Sequence, residues 1–198
     1  YRTLLGKVST SPAMGVYLTF RGNAKANAAT GSLPDENYAR ELMQLFTIGL
    51  LELNPDGTPV LVGGQPRETY GQDDIMGLAR VFTGWDLDST DNTTPARMGR
   101  PMTMIASRHE TGVKSFLGTT IQTGTDGATS LAQALDTIFA HPNVGPFVTR
   151  QLIQRLVTSA PTPAYVGRIA AVFNNNGSGV RGDLKAVVRA ILLDDEAR

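Results

Sequence analysis

The side chains best suited to acid–base chemistry lie close together in residues 34–50, PDENYARELMQLFTIGL. Glu36 and Glu41 are carboxylates, Arg40 is a permanent cation, and Asn37 can both donate and accept hydrogen bonds. Glu36 and Arg40 are four positions apart, so a helix would bring them together as an ion pair. Glu41 lies late in such a helix, where the dipole and apolar neighbours favour its protonated form. It could therefore act as a general acid or base.

Three interpretations of this polar stripe stay open. It can be a solvated helix face with one or two ion pairs, each contributing about 0.3–0.5 kcal/mol. It can point into a cleft, with Glu36 and Glu41 as acid and base and with Asn37 and Arg40 binding a substrate. Alternatively, Arg40 is buried between helices and bridges them by satisfying backbone carbonyls.

A second group of polar residues could assist the first. The segment RHETGVKSFLG contains His109 and Lys114 and is predicted to be an exposed polar loop, where functional residues are common. The alternative for His109 is a surface or locally hydrogen-bonded histidine. Trp85 could stack on a sugar ring at a cleft mouth or close the end of the core. We take His109 as a candidate catalytic residue and Asp74, Trp85 and Lys114 as candidate binding residues.

The composition and motifs exclude several kinds of site. The chain has no cysteine, which excludes cysteine nucleophiles, iron–sulfur clusters and thiolate zinc sites. No Gly-x-Ser-x-Gly nucleophile motif and no phosphate-binding loop is present. Oxygen ligands alternate in the sequence at Asp86, Asp88, Asp91 and Asn92, but the turn glycine and closing glutamate of a calcium loop are missing. The sequence predicts no metal and no cofactor.

The length and charge of the chain limit its class. A chain of 198 residues, 41% of them hydrophobic, predicts one domain over residues 1–198. With 18 basic and 18 acidic residues, it has no long-range field to attract nucleic acid. No apolar run is long enough for a transmembrane segment. Because the chain starts at Tyr1, we expect it to be the C-terminal part of a longer parent protein.

Hydrophobic periodicity predicts a mainly α protein, a compact helical bundle with long polar loops. Two short helices are expected in residues 1–20, a third over residues 34–49 and a fourth from Gly71 to Trp85, with Asp74 at its third position. Residues 128–140, 144–158, 162–173 and 183–193 predict four more. A small β-hairpin is expected near residues 50–62, around Pro55-Asp56-Gly57. Buried positions include Tyr38, Ala39, Leu42, Met43, Leu45 and Phe46, then Leu152, Leu156, Phe173, Ile191 and Leu192.

Four motifs, in order along the whole chain, resemble one bacterial family. They are PDENYARELMQLFTIGL, YGQDDIMGLARVFTGW, RHETGVKSFLG and HPNVGPFVTRQLIQRLV with RGDLKAVVRAILLDDEAR. The family is catalogued as a domain of unknown function, number eighteen hundred. Its Asn-Glu-Asn-Tyr-Ala-Arg-Glu pattern falls on residues 35–41, with Asp35 at the first position. Many members have histidine where Phe46 stands and glutamate where Gln44 stands, which weakens a metal interpretation of this helix.

The resemblance implies a fold and a compartment but no reaction. Members are mostly helical and often look exported, some with twin-arginine-type signals, which implies a periplasmic or extracellular location here. We therefore expect an envelope-associated or secreted helical module that binds a protein or polysaccharide of the cell envelope. The alternative is a hydrolase or lyase that acts on an envelope glycan, with Glu41 and Glu36 as acid and base.

Overall fold

A computed structural model describes residues 1–88, Thr90 and residues 95–198. It confirms a mainly α protein with small antiparallel hairpins. The α-helices are Arg2–Ser9 (α1), Pro12–Tyr17 (α2), Asn37–Glu41 (α3), Gln72–Ala79 (α4), Gly127–Ala140 (α5), Val144–Leu156 (α6), Pro163–Asn174 (α7) and Leu184–Leu193 (α8). The strands are Leu61–Val62 (β1), Gln65–Pro66 (β2), Trp85–Asp86 (β3), Thr103–Met104 (β4), Lys114–Phe116 (β5) and Thr119–Ile121 (β6). They pair as β1–β2, β3–β4 and β5–β6.

The chain forms two compact units. The first unit comprises Tyr1, residues 43–69 and residues 138–198, and the second unit comprises residues 2–42 and 70–137. Every candidate site residue belongs to the second unit. That residues 1–198 form one domain stays a prediction.

Three aromatic rings form the centre of the second unit. Phe20 stacks on Tyr38 with ring centroids 4.1 Å apart, and Phe82 meets the edge of Tyr38 at 4.7 Å. All three side chains are fully buried, and such ring pairs add to the stability gained from burial alone. The Tyr38 hydroxyl finds a partner in the Ser9 hydroxyl at 2.7 Å, so the ring cluster joins α1, α3 and the turn after α4.

Helix α4 begins where the sequence predicts. Gly71 is the N-cap, and its N–H donates to the Asp74 carboxylate at 2.8 Å. The predicted apolar face is buried, ending in the 3-10 turn Arg80–Phe82. Gly77 allows α4 to touch strand β5, because a Cβ atom there would lie 1.7 Å from the Ser115 carbonyl oxygen.

The helix predicted over residues 34–49 changes from α-helical to π-helical geometry midway. Helix α3 is followed by a π-helix over Leu42–Thr47, and Gly49 ends the segment with φ +72°. Most of the predicted apolar face is confirmed, but Leu45 is 56% exposed, so its predicted burial is wrong. The wider π turn explains this, since positions spaced for 3.6 residues per turn no longer share one face.

The first unit is built on helices α6, α7 and α8, which pack against one another. The buried Asn143 side chain donates to the carbonyls of Ile48 at 2.8 Å and Leu51 at 2.7 Å and accepts from the N–H of Leu53 at 2.9 Å. Leu156 and Leu192 are about half exposed, not buried as predicted. Each lies in the last turn of its helix, where fewer neighbours cover the apolar face.

The predicted hairpin is present and extends beyond residues 50–62. Leu53 pairs with Pro59 across the Pro55-Asp56-Gly57 turn. The chain then turns again at Gly63 and Gly64 to pair β1 with β2.

Candidate functional site

A closed hydrogen-bonded set, which we call the Glu36 triangle, consists of the side chains of Glu36 at the N-cap of α3, Arg40 on α3 and Gln72 on α4. The Arg40 guanidinium lies 3.1 Å from the Glu36 carboxylate, and the Gln72 amide donates to the same Glu36 oxygen at 2.8 Å. Arg40 also reaches the Gln72 amide oxygen at 3.4 Å. The triangle confirms the predicted Glu36–Arg40 ion pair and adds Gln72, the first residue of α4, as its third member.

The Glu36 triangle lies at the surface. The side chains of Arg40 and Glu36 are 39% and 30% exposed. The interpretation of Arg40 as a buried bridge is therefore wrong, because its partners are side chains at the ends of two helices. Ion pairs this exposed contribute at most about 1 kcal/mol. The triangle fixes the direction of these side chains more than it stabilises the fold.

Glu41 and Tyr70 stand beside the triangle with unused hydrogen-bonding capacity. Glu41 is half-buried, and its carboxylate forms no hydrogen bond or ion pair with any residue that the structure describes. The Tyr70 hydroxyl is buried, and it too has no partner within the described residues. Burial raises the pKa of Tyr70; the Arg40 guanidinium opposes this and the Glu41 carboxylate adds to it. We call Glu36, Arg40, Glu41, Tyr70 and Gln72 the polar face.

Asn37 is the first residue of α3, on the side of that helix near the end of α2. Its amide approaches the Thr19 hydroxyl at 3.4 Å, and its backbone N–H donates to Asp35 at 2.8 Å. Thr19 in turn donates to Asp35 at 2.8 Å. Asn37 therefore takes part in the local network that starts α3.

Asp74 has both carboxylate oxygens engaged by backbone groups. One oxygen accepts the Gly71 N–H, and the other accepts the Leu117 N–H at 2.6 Å. Leu117 has a positive φ of 47° in the β5–β6 turn, a conformation that a side chain rarely adopts without support. Asp74 thus starts α4 and holds that turn.

His109 is buried, not exposed as the polar composition of its loop predicts; only 2% of it is accessible. Its Nδ1 lies 2.8 Å from the Thr83 carbonyl oxygen, so Nδ1 carries the proton of the neutral ring. Its Nε2 is buried without a partner among the described residues. The Thr83 hydroxyl also accepts the Glu110 N–H at 2.8 Å. The loop around His109 is therefore buried because it is hydrogen-bonded to Thr83, a residue that is distant in the sequence.

Lys114 is completely buried in the same region. Its ammonium makes one long hydrogen bond, 3.4 Å to the Gly112 carbonyl, and the Glu110 carboxylate accepts the Gly112 N–H at 2.8 Å. Burial lowers the pKa of Lys114, and Glu110 opposes this. Burial also lowers the pKa of His109; its bond to Thr83 opposes that shift, and the Lys114 charge adds to it. We call Thr83, His109, Glu110 and Lys114 the buried basic cluster.

Trp85 is buried next to this cluster, which agrees with a place at the end of the core. Gly84, with φ +88°, lets the chain pass His109 so closely that a Cβ atom there would lie 3.1 Å from the His109 Cβ. The indole Nε1 of Trp85 is buried and has no partner in the described part of the chain.

The structure does not bring the two groups of candidate residues together. Gln72 begins α4 and Thr83 follows the 3-10 turn, so about 15 Å of helix separates the polar face from the buried basic cluster. Within the described residues, no hydrogen bond or ion pair joins Glu36 or Glu41 to His109. The two carboxylates are also five positions apart, which places them about 140° apart around a helix.

Of the alternating oxygen ligands predicted in residues 86–92, the structure describes those of Asp86 and Asp88. Asp86 is held by Arg108 at 3.0 Å and by Arg21 at 3.8 Å. Asp91 and Asn92 lie outside the described residues. In the part of the chain that is described, no group of three or more His, Asp or Glu residues could hold a metal ion.

Sequence patterns missed Tyr70, Gln72 and Thr83. Tyr70 and Gln72 flank the predicted N-cap Gly71, and that position next to a helix start was the available signal. For Thr83 there was none, because its role depends on a partner 26 positions away.

Comparison with known proteins agrees with the motif-based resemblance. The comparisons with curated proteins and with solved structures found no match. Among the described residues, no helix combines the length and apolar character that a membrane crossing requires. The profile of the family described as "Protein of unknown function (DUF1800)" matches residues 1–198. The chain belongs to this bacterial family.

Proposed function

We propose that this chain is an exported, non-enzymatic binding module of the bacterial cell envelope, and that the polar face contacts its partner. One observation carries the proposal. The Glu36 triangle holds charged and amide groups in fixed directions at the surface, beside a Glu41 carboxylate without a partner in the described chain. Side chains that are already ordered lose little entropy when a partner binds.

The export part of the proposal rests on the resemblance of the four motifs to a family whose members often look exported. The absence of cysteine is compatible with an oxidising compartment. The partner is a protein or a polysaccharide of the envelope. Because the polar face carries both positive and negative side chains, a partner with a high net charge of one sign would be repelled by some of them as well as attracted by others.

The second candidate is a hydrolase or lyase that acts on an envelope glycan. It is favoured by one observation, a Glu41 carboxylate that has no partner among the described residues. Against it, the Glu36 carboxylate is already hydrogen-bonded to Arg40 and Gln72, and His109 is buried in the separate basic cluster. Cooperating acid and base groups must share a reacting centre, which this arrangement does not provide.

Co-sedimentation tests the binding proposal. The purified chain is mixed with insoluble envelope fractions from a bacterium that encodes a family member, either untreated, protease-treated or periodate-treated. We expect retention that one treatment abolishes: protease if the partner is a protein, periodate if it is a glycan. Glu41→Gln should reduce retention about tenfold, as expected for losing a charged hydrogen bond. Glu68→Gln, at an exposed position in the first unit, is the control. Absence of retention in every fraction would contradict the proposal.

A further inference from the structure

We propose that His109 and Lys114 form a proton-sensitive lock on residues 105–117, so that protonation of His109 opens this segment of the second unit. The proposal is independent of what the polar face binds. It rests on two buried basic side chains that hold one loop and that have, among the described residues, too few partners for two cations.

The two ring nitrogens of His109 differ in their hydrogen bonding. Its Nδ1–H is used by the Thr83 carbonyl at 2.8 Å, and its buried Nε2 has no acceptor among the described residues. A second proton would therefore enter a buried site with no hydrogen-bond partner among the described residues. Burying an unpaired charge is among the most costly changes a protein interior can undergo.

Charged groups near the His109 imidazole act on its protonation in opposite directions. Lys114 on β5 is a buried cation and opposes protonation, and Arg80 in the 3-10 turn after α4 adds positive charge near Lys114. Glu110 in the same loop and Asp126 before α5 favour protonation. Glu110 lies near both His109 and Lys114 and also accepts the Gly112 N–H at 2.8 Å, so one carboxylate would have to serve two buried cations.

Contacts of His109 and Lys114 hold a continuous segment of the second unit. His109 ties the loop to Thr83, and Lys114 begins the strand that packs on α4 through Gly77. Beyond that strand, the Leu117 N–H is held by Asp74. Opening would free both histidine nitrogens and the ammonium to meet water, while the helical core of the unit need not unfold.

The direction of the pH dependence follows from burial. Burial lowers the pKa of His109 below its usual value of 6.5, so the open segment binds the proton more readily than the closed one. The closed state is therefore fully favoured above pH 6.5 and is lost progressively as the pH falls below it. In that window, the opening constant rises by up to about tenfold per pH unit.

Hydrogen exchange of the full chain between pH 7.5 and 5, corrected for intrinsic exchange rates, tests the proposal. Protection in residues 105–117 should fall by about tenfold or more, and the fluorescence of Trp85, the only tryptophan, should change over the same pH range. His109→Gln should remove both changes. His141→Gln should keep them, because it alters the only other histidine, which lies in the first unit.

A persistent acid-induced opening in folded His109→Gln would overturn the proposal. If that variant does not fold, an NMR titration of the histidine ring resonances in the wild-type chain tests the proposal instead. The lock predicts that the His109 ring titrates below pH 6.5, together with the loss of protection. A ring that titrates while residues 105–117 stay fully protected would also overturn it.

Discussion

The His109 imidazole donates its Nδ1 proton to the Thr83 carbonyl at 2.8 Å, and the Thr83 hydroxyl accepts the Glu110 N–H at the same distance. One residue at the end of the α4 segment therefore holds two successive residues of a distant loop. This pairing explains why a loop of polar composition is buried.

Replacement of Thr83 by valine tests this pairing. Valine keeps the shape but leaves the Glu110 N–H without its acceptor, and a buried unpaired donor costs about 1–3 kcal/mol. We expect Thr83→Val to lower the free energy of unfolding by that amount in urea titrations. Thr120→Val, at an exposed strand position, should change it by less than about 0.5 kcal/mol. Equal effects of the two variants would count against the pairing.

Lys114→Met should stabilise the protein. The ammonium is fully buried with a long hydrogen bond, and an apolar side chain of similar size avoids the free-energy cost of burying a charge that is not fully paired. Burial lowers the pKa of Lys114, so the unfolded chain binds the proton more readily and the wild-type chain gains stability as pH rises toward 10.5. The advantage of the variant in urea unfolding should therefore be larger at pH 7 than at pH 9.5. Lys185→Met, at an exposed position on α8, should show no such pH-dependent gain.

Gly77 and Gly6 form a matched pair in the second unit. A Cβ atom at Gly77 would lie 1.7 Å from the Ser115 backbone oxygen, whereas at Gly6 the nearest neighbour is the end of the Arg2 side chain at 3.5 Å. Gly77→Ala should destabilise the protein by at least about 2 kcal/mol, because α4 must move away from β5. Gly6→Ala should stabilise it by about 0.5–1 kcal/mol through helix propensity. Thermal unfolding measures both, and a harmless Gly77→Ala would show that α4 and β5 are not in such close contact.

The Glu36–Arg40 pair should prove weak. In a double-mutant cycle with Glu36→Gln and Arg40→Met, we expect a coupling energy of at most about 1 kcal/mol, because both side chains are partly solvated. A coupling of about 3–5 kcal/mol would instead indicate a buried bridge.

Local sequence signals predicted the helices well, since their causes are local. Gly71 and Asp74 form the start of α4 within four residues, and the apolar spacing of α4 matches its buried face. The exposure of Leu45 was not predicted, because the residue types of this segment do not indicate a π-helix in place of a regular α-helix. The burial of His109 was not predicted either, because it depends on a hydrogen bond to the carbonyl oxygen of Thr83, 26 positions away. For the candidate site, only the Glu36–Arg40 pair could be read from spacing.

Whether the polar face binds the partner is tested most directly by the affinities of two variants for the envelope fraction that retains the wild-type chain, measured at pH 8. Arg40→Gln combined with Glu41→Gln alters the polar face, whereas His109→Gln alters only the buried basic cluster. We predict that the first variant binds at least about tenfold more weakly and that the second binds like the wild type. Undiminished binding by the first variant, or loss of binding only in the second, would contradict the assignment of partner recognition to the polar face.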